Sequence, residues 1–257
     1  MTNTGLPEGE SRSRWVRFRN SEGKTSNVRK LLKNPVVAFI VDILTIVATA
    51  LVLSLLIKTF LIRSFYIPSG SMLNTLQIND RIVVNELVPN VVPIDRGDVV
   101  VFRDPGGWLG AVDTKQVPFT TQVADWFLSS FGVTAPDSDV HLVKRVIGIA
   151  GDHVVCCDAN KKLTINGIAI TEPYIADNQD PSDVKFDVTV PANSIWVMGD
   201  NRGNSEDSRF HQDLPSKGFV NYKYIVGRAF VITWPFNHFG WLDNFSSVFQ
   251  NVSNAKP

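Results

Sequence analysis

Only two cysteines occur in 257 residues, Cys156 and Cys157, and they are neighbours. Such a pair falls short of the four ligands a structural zinc site takes, so no metal site is expected. A disulfide between them and two thiols are both open from the sequence; an exported compartment would permit the bond. Neither sign of charge is in excess, with 25 Lys and Arg against 25 Asp and Glu. Proteins that coat nucleic acid are usually basic, so no nucleic-acid partner is expected. The chain has no internal repeat, no nucleotide-binding loop and no G-x-S-x-G elbow. Histidine is scarce too, at positions 141, 153, 211 and 238. A Ser–His–Asp triad drawn from distant positions stays open on these grounds.

Apolar character is concentrated in one place. Residues 36–57, "VVAFIVDILTIVATALVLSLLI", carry a single charge, Asp42. As a helix they would reach about 33 Å, against a bilayer hydrocarbon core of about 30 Å. This run is expected to be one transmembrane anchor. It is not expected to be a cleaved leader: the basic stretch before it is long, and "KTFLIRSF" stands where a small-x-small site would be. Residues 1–35 hold eight Lys and Arg against three Glu. They are expected to form a flexible cytoplasmic tail, with residues 58–257 on the extracytoplasmic side of the cell membrane. Residues 234–249, "WPFNHFGWLDNFSSVF", are aromatic but interrupted; resting at a membrane interface and packing in the core both fit them.

Beyond the anchor the pattern is that of short strands. "RIVVNELV" (81–88), "GDVVVFR" (97–103), "HLVKRVIGIAG" (141–151), "HVVCC" (153–157), "SIWVMG" (194–199) and "YIVGRAFVITW" (224–234) are rich in Val and Ile and end in turn residues. "KLTINGIAI" carries Asn-Gly, a hairpin signal. The expected fold is mainly β, an antiparallel β-sheet domain. An insertion at about 104–139 interrupts it, with a short amphipathic helix around Val123, Trp126, Phe127 and Phe131; residues 171–193 read as irregular.

The stretch "IPSGSMLNTL" (67–76) sets two serines around a glycine among apolar residues. A serine nucleophile needs a base, and a lysine can serve once burial lowers its pKa from about 10.4 by several units. Lys144 lies on a strand whose alternation puts Leu142, Lys144 and Val146 on one face. "MGDNRGNSEDSR" (198–209) comes directly after another apolar strand, as a functional loop on a scaffold would, and offers a hydroxyl, Ser205, that could hold such an amine. Two S-x-x-K strings, Ser21–Lys24 and Ser182–Lys185, have no partner motifs and are read as chance.

Three of these segments, "PSGSM", "VKRVIGIAGD" and "GDNRGNSEDSR", together with "NDRIVV" and "GRAFVITWP", resemble the bacterial type I signal peptidases, in that family's order and after an anchor. The resemblance runs from about residue 36 to 236 and is weakest across 104–139 and 158–193. It implies a membrane-anchored serine endopeptidase that removes signal peptides from exported preproteins after small-x-small sites, in contact with the lipid bilayer and without cofactor. Carried over by position, Ser71 would be the nucleophile and Lys144 the base. Ser69 and the Ser71 N–H would hold the oxyanion, and Ser205 would orient the amine. Arg145, Asp200, Asp207 and Arg209 would form ion pairs holding the loop against the lysine strand. Ile67, Pro68, Met72, Leu76, Leu142 and Val143 would line the substrate site. One departure stands out: Asn74 occupies a position where the family usually has proline. A self-cleaving regulator and a catalytically silent binding protein on the same scaffold are the alternative readings.

Overall fold

The computed structural model describes residues 35–110 and 141–253. The expected tail and the amphipathic segment of the insertion lie outside these residues. The chain divides into two compact units, one ending at Leu53 and the other beginning at Ser54.

Helix α1 covers Pro35–Phe60. Proline suits a first helical position, where its missing N–H has no partner to lose. The run's threonines remain inside helical bonding: Thr45 and Thr49 hydroxyls donate back to the carbonyls of Val41 and Thr45, both at 2.8 Å. Polar side chains so engaged are compatible with an apolar surrounding. Among the described residues, this is the one helix long and apolar enough to cross a membrane. Phe39, Leu44 and Ile46 on it are exposed.

The second unit is antiparallel β, as the strand pattern predicts. Its main sheet has eight strands. Seven run in the order β1 (Ile62–Tyr66), β2 (Arg81–Asn85), β11 (Ile225–Trp234), β3 (Val99–Arg103), β4 (His141–Gly148), β9 (Ser194–Met198), β10 (Val220–Asn221), and β12 (Gly240–Trp241) also pairs with β11. A smaller sheet runs β7 (Ile168–Ala169), β6 (Thr164–Ile165), β5 (His153–Cys156), β8 (Phe186–Thr189). Asn166 and Gly167 both take positive φ, 52° and 80°, as a tight hairpin turn between β6 and β7 requires.

The unbroken apolar reading of β3 has a structural reason. Alternate side chains point to opposite faces of a strand. Val99 and Val101 enter a cluster with Phe65, Ile67, Met72 and Leu76, while Val100 and Phe102 enter another with Val146, Ile195 and Val197. Strand β9 is likewise buried on both faces, sending Trp196 and Met198 into a third cluster built on the smaller sheet. The central strands are therefore held from both sides.

Four strands escape the sequence pattern, of which β10 and β12 are only two residues long. In β1 only Phe65 is buried, and in β8 only Phe186, so neither shows an alternating face. The supposedly irregular stretch 171–193 thus contributes an edge strand. Cys156 and Cys157 are joined by a disulfide, which decides between the two readings left open. The aromatic segment divides: Trp234, Phe236, Phe239 and Trp241 are exposed, whereas Phe249 is buried in the third cluster.

Candidate active site

Strand β4 carries Lys144 into the protein, where it is 3% exposed. Its neighbours on the same face, Leu142 and Val146, pack in one cluster and Val143 packs against another, as alternation predicts. Burial pushes the amine's pKa down to about 8, against the opposing pull of the Asp207 and Asp200 carboxylates. The amine donates to Ser71 Oγ at 2.8 Å, across 73 residues of sequence. Ser71 has no histidine partner among the described residues; its hydroxyl meets only Lys144 and, at 3.5 Å, Ser69 Oγ. His153, His211 and His238 bond instead to Asp187, the Asp207 carbonyl and Asp80.

The turn bearing Ser71 is anchored by the apolar side chains just beyond the serine. Met72 and Leu76 are 1% and 0% exposed, and the Leu76 N–H donates to the Met72 carbonyl at 2.7 Å. Leu76, expected at the substrate site, is absent from the lining of the cavity beside Ser71 and packs in the core cluster with Phe65, Ile67 and Met72. Asn74 takes φ 77°. Asparagine tolerates this left-handed region, and proline, locked near −65°, cannot enter it. The departure from the family pattern thus goes with a different local backbone.

The loop after β9 closes on this turn. Gly199 has no room for a side chain: a Cβ there would lie 2.2 Å from Ser205 Oγ and 2.4 Å from the Ser71 carbonyl oxygen. Ser205 does not bond the Lys144 amine. Its hydroxyl donates to Asp207 at 2.9 Å, and Asp207 also accepts from the Gly199 N–H at 2.9 Å and from Arg209 at 2.8 Å. Burial raises the Asp207 pKa, but the Arg209 bonds and charge and the Gly199 N–H outweigh it, so the carboxylate is held below its usual range. The bond to Asp207 uses the hydroxyl's one proton and leaves its oxygen lone pairs free to accept.

The expected ion pairs divide by function. Arg145 Nη2 meets Asp200 at 2.8 Å with both side chains fully buried, joining β4 to the loop. Arg209–Asp207, at 2.8 Å, lies within the loop and shapes it internally. Sequence reasoning missed three supporting features. The Thr75 hydroxyl donates to Asp200, tying the serine turn to the same pair. The Tyr174 and Phe245 rings lie 4.3 and 5.2 Å from the Arg145 guanidinium. Arg202 forks onto Glu172 at 2.6 and 3.0 Å. These partners lie far from Arg145 and Arg202 in the chain, and no local spacing signals such pairs.

Ile67, Pro68, Ser69, Ser71, Met72, Leu142, Val143 and Lys144 line a cavity of about 220 Å³, with Phe65, Tyr66, Leu109 and His141 completing it. Its walls are largely apolar and it opens directly on the serine and the amine. A larger cavity, about 570 Å³, lies beside β2, β11 and β12 and contains neither group. Its polar members Arg228 and Asn244 approach Asp98 at 3.4 and 3.5 Å, so size does not mark the chemistry here.

The family model described as signal peptidase, peptidase S26, matches residues 40–234. Signal peptidase I of Mycobacterium tuberculosis (strain CDC 1551 / Oshkosh) is 36% identical over 200 residues, covering 68% of this chain and 65% of that protein. Signal peptidase I S of Bacillus subtilis (strain 168) is 33% identical over 200 residues, covering 74% of this chain and 87% of that protein. A solved signal peptidase I from Enterococcus faecalis V583 superposes loosely, with TM-score 0.32 and 23% identity over 52% of this chain and 95% of that one. The match thus spans slightly under two thirds of the mycobacterial relative's length. The chain belongs to the signal peptidase, peptidase S26 family.

Proposed function

We propose that this chain is a membrane-anchored serine endopeptidase that removes signal peptides from exported preproteins, using Ser71 as nucleophile and Lys144 as base. The observation that carries the reading is the 2.8 Å contact between a buried amine and a serine hydroxyl at the floor of an apolar cleft. Once neutral, the amine takes the Ser71 proton as Oγ attacks the scissile carbonyl. The oxyanion that forms is held by the Ser71 N–H and the Ser69 hydroxyl. The ammonium then gives its proton to the leaving amine, and the signal peptide remains as an ester on Ser71. Water, deprotonated by Lys144, releases it. Asp200, Asp207, Arg145 and Arg209 hold the frame around the pair.

The cleft favours small side chains on physical grounds, since a narrow apolar pocket takes alanine and rejects bulk. The substrate adds as an extended strand between the segment before Ser71 and β4. Residues 36–57 anchor the enzyme, residues 1–35 stay in the cytoplasm, and the domain from residue 58 acts on the outer side. Only 13 residues separate Ile57 from Ser71, which suits substrates whose own apolar segment is still in the bilayer.

The test is cleavage of a purified preprotein by the detergent-solubilised full chain. Wild type should release a mature protein whose new amino terminus comes just after a small-x-small sequence. Ser71→Ala and Lys144→Ala should release none. Cleavage that survives either substitution overturns the pairing.

A further inference from the structure

The proposed oxyanion donor, the Ser71 N–H, belongs to the same peptide group as the Gly70 carbonyl. A trans peptide is planar, with its C=O and N–H pointing opposite ways. Whatever fixes the Gly70 carbonyl therefore aims the Ser71 N–H. Among the described residues the Ser71 N–H has no acceptor, while the Gly70 oxygen has two donors. One is the Leu73 N–H of the same turn, at 3.2 Å. The other comes from 131 residues away: Asn201 Nδ2, at 2.9 Å. Asn201 also sends its backbone N–H to the Ser71 carbonyl at 3.1 Å. It thus grips the peptide groups on both sides of the serine, and it is 6% exposed.

The direction of the Asn201 amide is itself imposed. Gln179 Nε2 donates to Asn201 Oδ1 at 2.7 Å, and the Gly203 N–H donates to Gln179 Oε1 at 3.0 Å. A side-chain amide's two ends are usually told apart by its hydrogen-bond network. Here the relay begins at a group that can only donate, the Gly203 N–H, and ends at one that can only accept, the Gly70 carbonyl. Each amide between them has one satisfying orientation. Turning either one would set oxygen against oxygen or N–H against N–H.

We infer that Asn201 is a positioning residue for the oxyanion site: with Gln179 behind it, it locks the Gly70–Ser71 peptide so that the Ser71 N–H faces the cleft. The inference rests on the Ser71–Lys144 reading and deepens it. Asn201 touches neither substrate nor the reacting atoms; it acts through the peptide it holds. Its contribution should appear where negative charge develops on the substrate oxygen, and nowhere else.

The experiment uses the full chain in detergent with a signal-peptide-derived substrate. The probe is a peptide aldehyde of the same sequence, whose adduct with Ser71 puts an oxygen at the oxyanion position. Deleting an oxyanion donor outright typically costs about 10²–10³ in rate; misaiming one should cost less, about 10- to 100-fold in kcat for Asn201→Ala. KM should stay within about twofold, since the ground state does not use the donor. Affinity for the aldehyde should fall by the same factor as kcat. Binding of uncleaved substrate, measured on Ser71→Ala with and without Asn201→Ala, should not change. Gln179→Ala, which frees the Asn201 amide without removing it, should show the same pattern to a smaller extent, and it decides the matter if Asn201→Ala does not fold. Unchanged kcat in the folded variants, or aldehyde and substrate affinities falling together, overturns the inference. The underlying reading fails separately and visibly, by Ser71→Ala retaining cleavage.

Discussion

Lys144 is costly to the fold it occupies. An amine whose pKa is about 8 in the folded protein and near its ordinary 10.5 when unfolded binds fewer protons folded than unfolded between those values. Stability therefore rises with pH across that window, and at pH 7 the full penalty stands. Each unit is worth about 1.36 kcal/mol, so Lys144→Met should stabilise the protein at pH 7 by on the order of 3 kcal/mol. Denaturant melts should show the gain shrinking as pH rises from 8 toward 10.5. Activity has the opposite dependence on the same group. The proposed base works only when neutral, so kcat/KM should climb through a midpoint near the amine's pKa of about 8 and level off above it. A rate profile rising only near the pKa of free lysine would show that the amine is not held out of water. Removing the proposed nucleophile or base should lower kcat by roughly 10⁴–10⁶-fold, as in other serine enzymes.

At the scale of elements, the site depends on three pieces of chain meeting: the turn after β1, the strand β4 and the loop after β9. Arg145–Asp200 is the main clasp, fully buried and shared with Thr75 of the serine turn. Breaking a buried pair by removing one partner strands the other charge, at about 3–5 kcal/mol. Arg145→Ala should lower stability by that amount in urea titration, and pairing it with Asp200→Asn should recover part of the loss. Gly199 is the closest approach between loop and turn. A side chain there meets both Ser205 Oγ and the Ser71 carbonyl well inside contact distance, and neither belongs to a long flexible chain. Gly199→Ala should cost about 1–3 kcal/mol as an overpacked core does, and should lower kcat more than Ser205→Ala, because it also pushes on the serine turn. Stopped assays on the folded fraction of each variant distinguish the two.

For the whole molecule, the reading divides the work between an anchor and a β-domain. The full chain should stay with membranes after alkaline carbonate washing, and a chain starting at residue 61 should not. In spheroplasts, added protease should reach the β-domain and spare residues 1–35. Protection of the β-domain would reverse the proposed orientation.

Some of this was legible in the residues themselves. The anchor candidate and the strands β2, β3, β4, β9 and β11 were readable because each carries its signal within one short unbroken stretch, five to ten residues for the strands and 22 for the anchor, as an apolar run or a repeat of two. The family strings around Ser71, Lys144 and 198–209 were readable for the same reason. Strands β1 and β8 were not, since a strand with one buried residue has no alternation to see. Leu76 was placed at the substrate site by the family resemblance, and only the folded turn showed its side chain packed in the core. Ser205 was expected to hold the Lys144 amine; packing directed its proton to Asp207. Local order is written in short-range polarity and can be read directly. Partner choice among Arg145, Asp200, Thr75, Asn201 and Gly70 waits on which backbones cross, because a hydrogen bond depends on distances that residues far apart in the chain acquire only when the sheet has formed.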